Sequence, residues 1–325
     1  MDINYFLNEY EFSAPYEVED RESGMNNTTR MVRAGSNRYV LRIYNNHKDA
    51  NIVRIEHEVL TALQNKALSL PFQVPRPVRN KRGSTISVSQ DGSLSSLFHF
   101  IEGERPHSSN SSHVLALGKA AASLTVALSR IEPACKPLYS PYYLLEDTYE
   151  SMNSTAFIAL SERSEALSAR RDLFERLQEE RLKVTQACAE ISNLPKQWIH
   201  GDLVFNNTVS KGEEIVGVLD FEFSTIDVRA MELAVILVDT IRPDDAASTA
   251  KVKLLLQGYL EIVQLSKQEM EQLPSLMKLR LLDVALHFAV RLREGLDHEN
   301  VLCGIIDQSN YGFDWINQYW EAELI

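Results

Sequence analysis

The chain has 325 residues, 44% hydrophobic and 24% charged, with 13 Gly and 11 Pro; this is a globular composition, long enough for two domains, and it excludes a collagen-like or wholly disordered chain. Its 33 Lys and Arg against 45 Asp and Glu leave a net charge of −12, a field that repels phosphate backbones and argues against a nucleic-acid partner, while a few local cations and a metal could still hold a nucleotide. Cys135, Cys188 and Cys303 are too few and too widely spaced for a disulfide framework or a structural zinc site.

The first residues, MDINYFLNEYEF, lack a basic segment followed by an apolar one, and the apolar run 233–238 is far below membrane-spanning length. A cytoplasmic protein without a membrane partner is the expectation. Residues 28–34 and 38–44 flank Gly35-Ser36-Asn37 and read as a β-hairpin. Residues 52–63 read as a helix. A second hairpin is expected over 85–90 and 95–101 around Asp91-Gly92, its last strand running into Glu102-Gly103-Glu104-Arg105-Pro106.

Beyond Pro106 the pattern turns helical. Asn110-Ser111-Ser112 offers capping side chains before Val114, Leu117, Ala121, Leu124 and Leu128, which recur at helical spacing. Leu173, Leu177, Val184, Cys188 and Ile191 mark another helix, and 251–263 and 278–292 supply two more. His287 and Cys188 fall on such stripes and read as packed residues, as do Trp315 and Trp320 on a last helix. Arg229, Arg291 and Arg293 read as helix-surface residues. One island, 198–225, is not helical. The expected fold is α+β and two-lobed: a small antiparallel-sheet lobe over 1–103, ending in a hinge, and a larger helical lobe over 104–325. A cleft between lobes is a common ligand site.

The island reads WIHGDLVFNNTVSKGEEIVGVLDFEFSTID, and it sets Asp202, Asn207 and Asp220 around a loop and a hairpin, with Asp220 after a strand at 214–219. Phosphoryl transfer needs a carboxylate near the acceptor hydroxyl and hard oxygen ligands for a Mg²⁺ ion that bridges nucleotide phosphates. Asp202 suits the first task; Asn207 and Asp220 suit the second.

HGDLVFNN and the following Asp220-Phe221 resemble the catalytic loop and metal-binding motif of the aminoglycoside phosphotransferase and choline kinase superfamily, whose fold is protein-kinase-like. The HGDLVFNN and GVLDF context leans toward its homoserine-kinase-like branch. By that resemblance Asp202 is the catalytic carboxylate, Asn207 and Asp220 are metal ligands, and His200 supports the loop. Further matches stand upstream in the family's order. In GMNNTTRMV, Gly24 and Asn27 resemble the turn between the first two strands, where backbone N–H groups approach nucleotide phosphates. In YVLRIY, Val40 and Arg42 share one strand face by period-two alternation, so Val40 can cover an adenine while Arg42, in the family's Lys position, reaches phosphate oxygens. Glu56, with Glu58 as the competing choice, resembles the helical partner of that cation. Residues 98–103 resemble the hinge, with Phe100 among the groups that hold the adenine.

The resemblance runs over about residues 5–239. It implies an ATP- and Mg²⁺-dependent kinase acting on a hydroxyl of a small molecule such as an amino alcohol, a homoserine-like compound or an aminoglycoside. Departures are Arg42 for Lys, Glu222 after Asp220-Phe221 where many kinases have Gly, and Glu232 where the family often has Asp. Two alternatives stand beside this reading: a catalytically silent kinase-fold protein of spore-coat type, and a protein Ser/Thr kinase.

Overall fold

The computed structural model describes residues 3–19, 27–45, 49–243 and 247–323. Five strands, β1 (Tyr16–Glu19), β2 (Asn27–Ala34), β3 (Asn37–Tyr44), β4 (Ser87–Val88) and β5 (Leu94–His99), form one antiparallel sheet in the order β1-β2-β3-β5-β4. Alternation along β3 decides what each face does. Leu41 and Ile43 are buried with Val32, Leu97 and, from the N-terminal segment that includes α1 (Ile3–Leu7), Phe6, Leu7 and Tyr10. Val40, Arg42 and Tyr44 point the other way, and α2 (Ala50–Leu63) reaches that face through Glu56 and Val53. The Asp49 side chain starts α2 by accepting the Asn51 N–H.

The second hairpin is shorter than its sequence suggests. Of residues 85–90 only Ser87 and Val88 pair with β5. Just before them the Ile86 carbonyl accepts from the side chains of Asn80 and Ser84, at 3.2 and 2.9 Å. That local bonding competes with a ladder.

The rest of the chain is mainly helical: α3 (Ser111–Leu128), three short helices α4 (Leu145–Thr148), α5 (Ser154–Ala159) and α6 (Glu165–Ser168), then α7 (Arg171–Ile191), α8 (Ala230–Thr240), α9 (Ser248–Leu260), α10 (Lys267–Arg293) and α11 (Glu299–Glu323). Asn110 caps α3, and Ser266 with Glu269 forms a reciprocal capping box on α10. α3 and α9 touch backbone to backbone. A Cβ on Gly118 would lie 2.3 Å from the Leu255 carbonyl oxygen, and one on Gly258 would lie 2.4 Å from that of Leu115. Among the described residues α3 alone is long and apolar enough, by length and composition, to cross a membrane; 61% of it is buried inside the protein. Trp315 and Trp320 are buried and pack α11 into the same core. That core also takes in Ile55, Val59 and Leu60 of α2 and Phe98 of β5, so the apolar packing is continuous from the sheet to the helices.

Between α7 and α8 the non-helical island folds into two nested ladders. β6 (Lys196–Ile199) pairs with β9 (Thr225–Val228), and β7 (Thr208–Lys211) pairs with β8 (Glu214–Val218). Ile199 is opposite Thr225 and Thr208 opposite Val218, so the segments 200–207 and 219–224 leave paired strand ends side by side.

Candidate active site

The 200–207 loop is clamped by its own side chains and by α8. His200 is fully buried; its Nε2 is 2.8 Å from the Leu219 carbonyl oxygen, and its Nδ1 accepts the Asp202 N–H at 3.2 Å. Burial holds its pKa below the usual histidine value, consistent with a neutral ring that ties the two loops together. Gly201 has φ 81°, and a Cβ there would sit 2.8 Å from the Phe223 carbonyl oxygen. Glycine is what lets the loop cross the 221–223 turn. From α8, Glu232 accepts the His200 N–H at 2.5 Å and Asp239 accepts the Phe205 N–H at 2.9 Å.

Glu232 does the work of the shorter Asp often found there, and it is completely buried. Burial pushes its pKa up from 4.5 to about 7, against the pull of the loop N–H groups. A folded-state value above the unfolded one means that this acid's stabilising contribution is complete below about pH 4.5 and is lost as pH rises through about 7. Glu232→Gln removes that loss, which amounts to about 3 kcal/mol. The melting temperature of the variant relative to wild type should therefore rise steadily between about pH 5 and about pH 8. A difference that stays flat with pH would mean that Glu232 does not titrate in this range.

Asp202 faces the open side of the loop. Its Oδ2 accepts from Asn207 Nδ2 at 3.0 Å, and the same amide donates to the Asp202 carbonyl oxygen at 2.9 Å. That leaves the oxygen end of the Asn207 amide for another partner. Asp202 Oδ1 accepts from Arg280 of α10, and Arg280 Nη1 donates to the Tyr142 hydroxyl at 2.7 Å. The Tyr142 hydroxyl donates to the Gly201 carbonyl at 2.6 Å.

The second loop carries Asp220, whose backbone is in the left-handed region at φ 66°. Non-glycine residues rarely sit there, and Asp and Asn tolerate it best. The Leu219 N–H donates to the Asn207 carbonyl at 2.8 Å, joining the two loops one residue before Asp220. Arg42 Nη1 lies 3.0 Å from Asp220 Oδ1 and 3.1 Å from Glu56 Oε1; Glu56 Oε2 accepts from the Tyr44 hydroxyl at 3.1 Å. Glu56 is thus the helical partner of Arg42. Glu58 turns away and accepts from the Cys135 backbone N–H at 2.9 Å. Glu222, buried, accepts from Asn27 Nδ2 at 3.0 Å, linking the foot of β2 to the Asp220 loop.

Three carboxylates, Glu56, Asp220 and Glu222, thus crowd one guanidinium. Burial raises the Glu56 pKa to about 7, with Arg42 opposing and the other two carboxylates adding to the rise. Asp220 is raised too, by burial first, with Arg42 opposing and Glu222 and Asp202 adding to the rise. Arg42 stays charged despite its burial because Asp220 and Glu56 flank it. A cleft with this surplus of buried negative charge is chemically suited to a hard divalent cation. No cluster of three or more His, Cys, Asp or Glu side chains forms a self-sufficient metal site among the described residues. The Asn207 amide oxygen and the Asp220 carboxylate are both hard oxygen donors, the kind that such a cation takes together with water or anionic oxygens.

The remaining candidates fall as follows. Gly24 lies outside the described residues. Asn27 is the first residue of β2, paired with Tyr44, rather than part of the turn before it. Val40 shares the Arg42 face, between Met31 and Phe98. The Phe100 N–H donates to the Arg38 carbonyl at 3.0 Å, and its ring lies under the Arg38 guanidinium at 4.0 Å. Its backbone donor is therefore committed within the protein. Sequence reasoning missed Arg280 and Tyr142, which lie 78 residues after and 60 residues before Asp202 in the chain.

The sequence profile of the phosphotransferase enzyme family matches residues 17–264. Homoserine kinase of Agrobacterium fabrum is 26% identical over 281 residues, covering 85% of this chain and 81% of that protein. Among solved structures, a microcompartment-associated aminopropanol kinase superposes with a TM-score of 0.73 at 17% identity, covering 99% of this chain and 98% of that one. An amicoumacin kinase in complex with AMP-PNP, Ca²⁺ and Ami superposes with a TM-score of 0.70 at 15% identity over 95% and 93% of the two chains. The fold is two-lobed and protein-kinase-like, a small antiparallel sheet joined to a larger helical part, and with the profile spanning most of its length the chain belongs to the phosphotransferase enzyme family.

Proposed function

We propose that the chain is an ATP- and Mg²⁺-dependent kinase that phosphorylates a hydroxyl of a small molecule, an amino alcohol of homoserine type before an aminoglycoside. The observation that carries this is the meeting of Asp202, Asn207 and Asp220 on two loops that leave paired strand ends, with Arg42 reaching across from the sheet. Homoserine and aminopropanol kinases among the relatives support the acceptor class. The nucleotide lies against residues 1–103 and the acceptor against 104–325. The cytoplasm, where ATP is available, is the site of action.

In this reading Asp202 orients the acceptor hydroxyl and takes its proton as the oxygen bonds to the γ-phosphorus. The bond from that phosphorus to the bridging oxygen breaks, and ADP leaves. Arg42, held by Glu56, forks onto phosphate oxygens and neutralises charge that builds there. Val40 covers the adenine, the hinge around Phe100 supplies its polar contacts, and Asn27, at the start of β2, borders the phosphates. Asn207 and Asp220 hold Mg²⁺, which when bound draws negative charge off the transferring group.

ADP release from Mg-ATP, measured across hydroxylated amino acids, amino alcohols and aminoglycosides, tests the proposal. At least one acceptor should raise the rate about tenfold or more over the acceptor-free rate, and chelating the metal should abolish it. If no acceptor does so and Mg-ATP leaves the melting temperature unmoved, the chain is the silent kinase-fold protein instead. Transfer to a protein acceptor alone would make it a protein kinase.

A further inference from the structure

Arg280, Asp283 and His287 recur at helical spacing on α10, on the face that meets Asp202. The Arg280 guanidinium donates to Asp202 Oδ1 and to the Tyr142 hydroxyl, and it stands 3.7 Å from Asp283 Oδ2. Asp283 Oδ1 accepts from the Tyr149 hydroxyl at 2.8 Å. These charged side chains are not fully enclosed: 15% of Arg280, 24% of Asp202 and 21% of Asp283 is exposed. Three other arginines of the helical part are committed elsewhere: Arg229 forks onto Glu269, Arg291 onto Asp297, and Arg293 bonds Ser151.

A guanidinium on the reacting carboxylate is a burden for a general base. It occupies Oδ1 while Asn207 occupies Oδ2, so each carboxylate oxygen already accepts a hydrogen bond before the acceptor hydroxyl arrives. The burden is relieved if the acceptor offers Arg280 a better partner. A planar carboxylate does so, because it matches the two-pronged guanidinium donor. An ammonium group on the same acceptor would find Asp283 one helical step further along.

We propose that Arg280 is the acceptor-specificity residue: it binds a carboxylate on the acceptor and thereby leaves Asp202 Oδ1 to the acceptor hydroxyl, while Asp283 takes the acceptor's ammonium group. The acceptor class is then a hydroxylated amino acid rather than a simple amino alcohol or an aminoglycoside. This rests on the kinase reading above.

L-homoserine and 3-aminopropan-1-ol differ only by the carboxylate, so their kcat/KM ratio isolates what Arg280 reads. Wild type should favour homoserine by about tenfold or more, since a site built to bond a polar group rejects the analogue lacking it. In Arg280→Gln the ratio should fall to about one, with the loss in KM for homoserine. Arg280→Lys, which keeps the charge but not the fork, should restore part of the preference and serves alone if the Gln variant does not fold. A wild type that favours aminopropanol, or that uses neither probe, overturns the inference. So does an equal fall on both acceptors in the variants, because Arg280 would then only position Asp202. The small-molecule kinase reading is decided separately, by ADP release across the wider panel.

Discussion

Asp202→Asn is expected to lower kcat with the best acceptor by about 10²–10⁴, while Mg-nucleotide affinity stays within about twofold of wild type. The size follows from what one atom change removes. The amide keeps the shape of the carboxylate but cannot take up the hydroxyl proton, and its NH₂ end must face either the Arg280 guanidinium or the Asn207 amide, both of which donate. Nucleotide affinity is spared because Arg42, Glu56 and Asp220, proposed to hold the phosphates and metal, make no direct bond to Asp202, and Asn207 keeps its bond to the Asp202 backbone carbonyl. Arg280 loses its short ionic partner but still has the Tyr142 hydroxyl and Asp283, so the variant should fold. Steady-state kcat and a nucleotide titration on the same preparation check both halves. A kcat within about tenfold of wild type would remove Asp202 from the catalytic role.

The features legible in the sequence were those set by local rules. Two alternating runs around a Gly-containing turn could only be a hairpin, and the hairpin placed Val40 and Arg42 on one face. A helix just after it made Glu56 or Glu58 the partner, and period 3.6 left only one facing in; contacts with Arg42 and with Cys135 separate them. HGDLVFNN was readable because its glycine and its polar residues are fixed by one tight loop. Other features depended on distant pairing. α8 is buried on nearly every side, and its apolar run 233–238 carries no period to mark it as a helix. Arg280 and Asp283 look like the solvated charges of any helix until α10 is laid against Asp202. Glu222 reads as a departure from pattern, yet its bond to Asn27 joins the sheet to the Asp220 loop across 195 residues of chain. Asn27 read as a turn residue because the composition of 24–28 is that of a turn; ladder bonds to Tyr44 make it strand.

The second large effect is expected at Asp220, and Asn is the informative replacement. Asn tolerates the left-handed backbone at φ 66° as Asp does, so the change removes charge without adding strain. In wild type, Mg-ATP at about 100 times its dissociation constant should add about 2.7 kcal/mol to stability, a rise of several degrees in melting temperature. In Asp220→Asn most of that magnesium-dependent rise should vanish, because a neutral amide is a weaker ligand for a hard dication. The unliganded protein should behave in the opposite way. Asp220, Glu56 and Glu222 surround one guanidinium, and burial already drives the first two toward protonation, so removing one negative charge relieves the other two. Unliganded Asp220→Asn should therefore melt no lower than wild type near neutral pH. Loss of the magnesium-dependent shift without loss of stability separates a ligand from a structural carboxylate. A full magnesium-dependent shift in the variant would leave Asn207 and the phosphates sufficient to hold the ion. A marked fall in the unliganded melting temperature would instead make the Arg42–Asp220 pair a stabilising contact rather than a site held open for a cation.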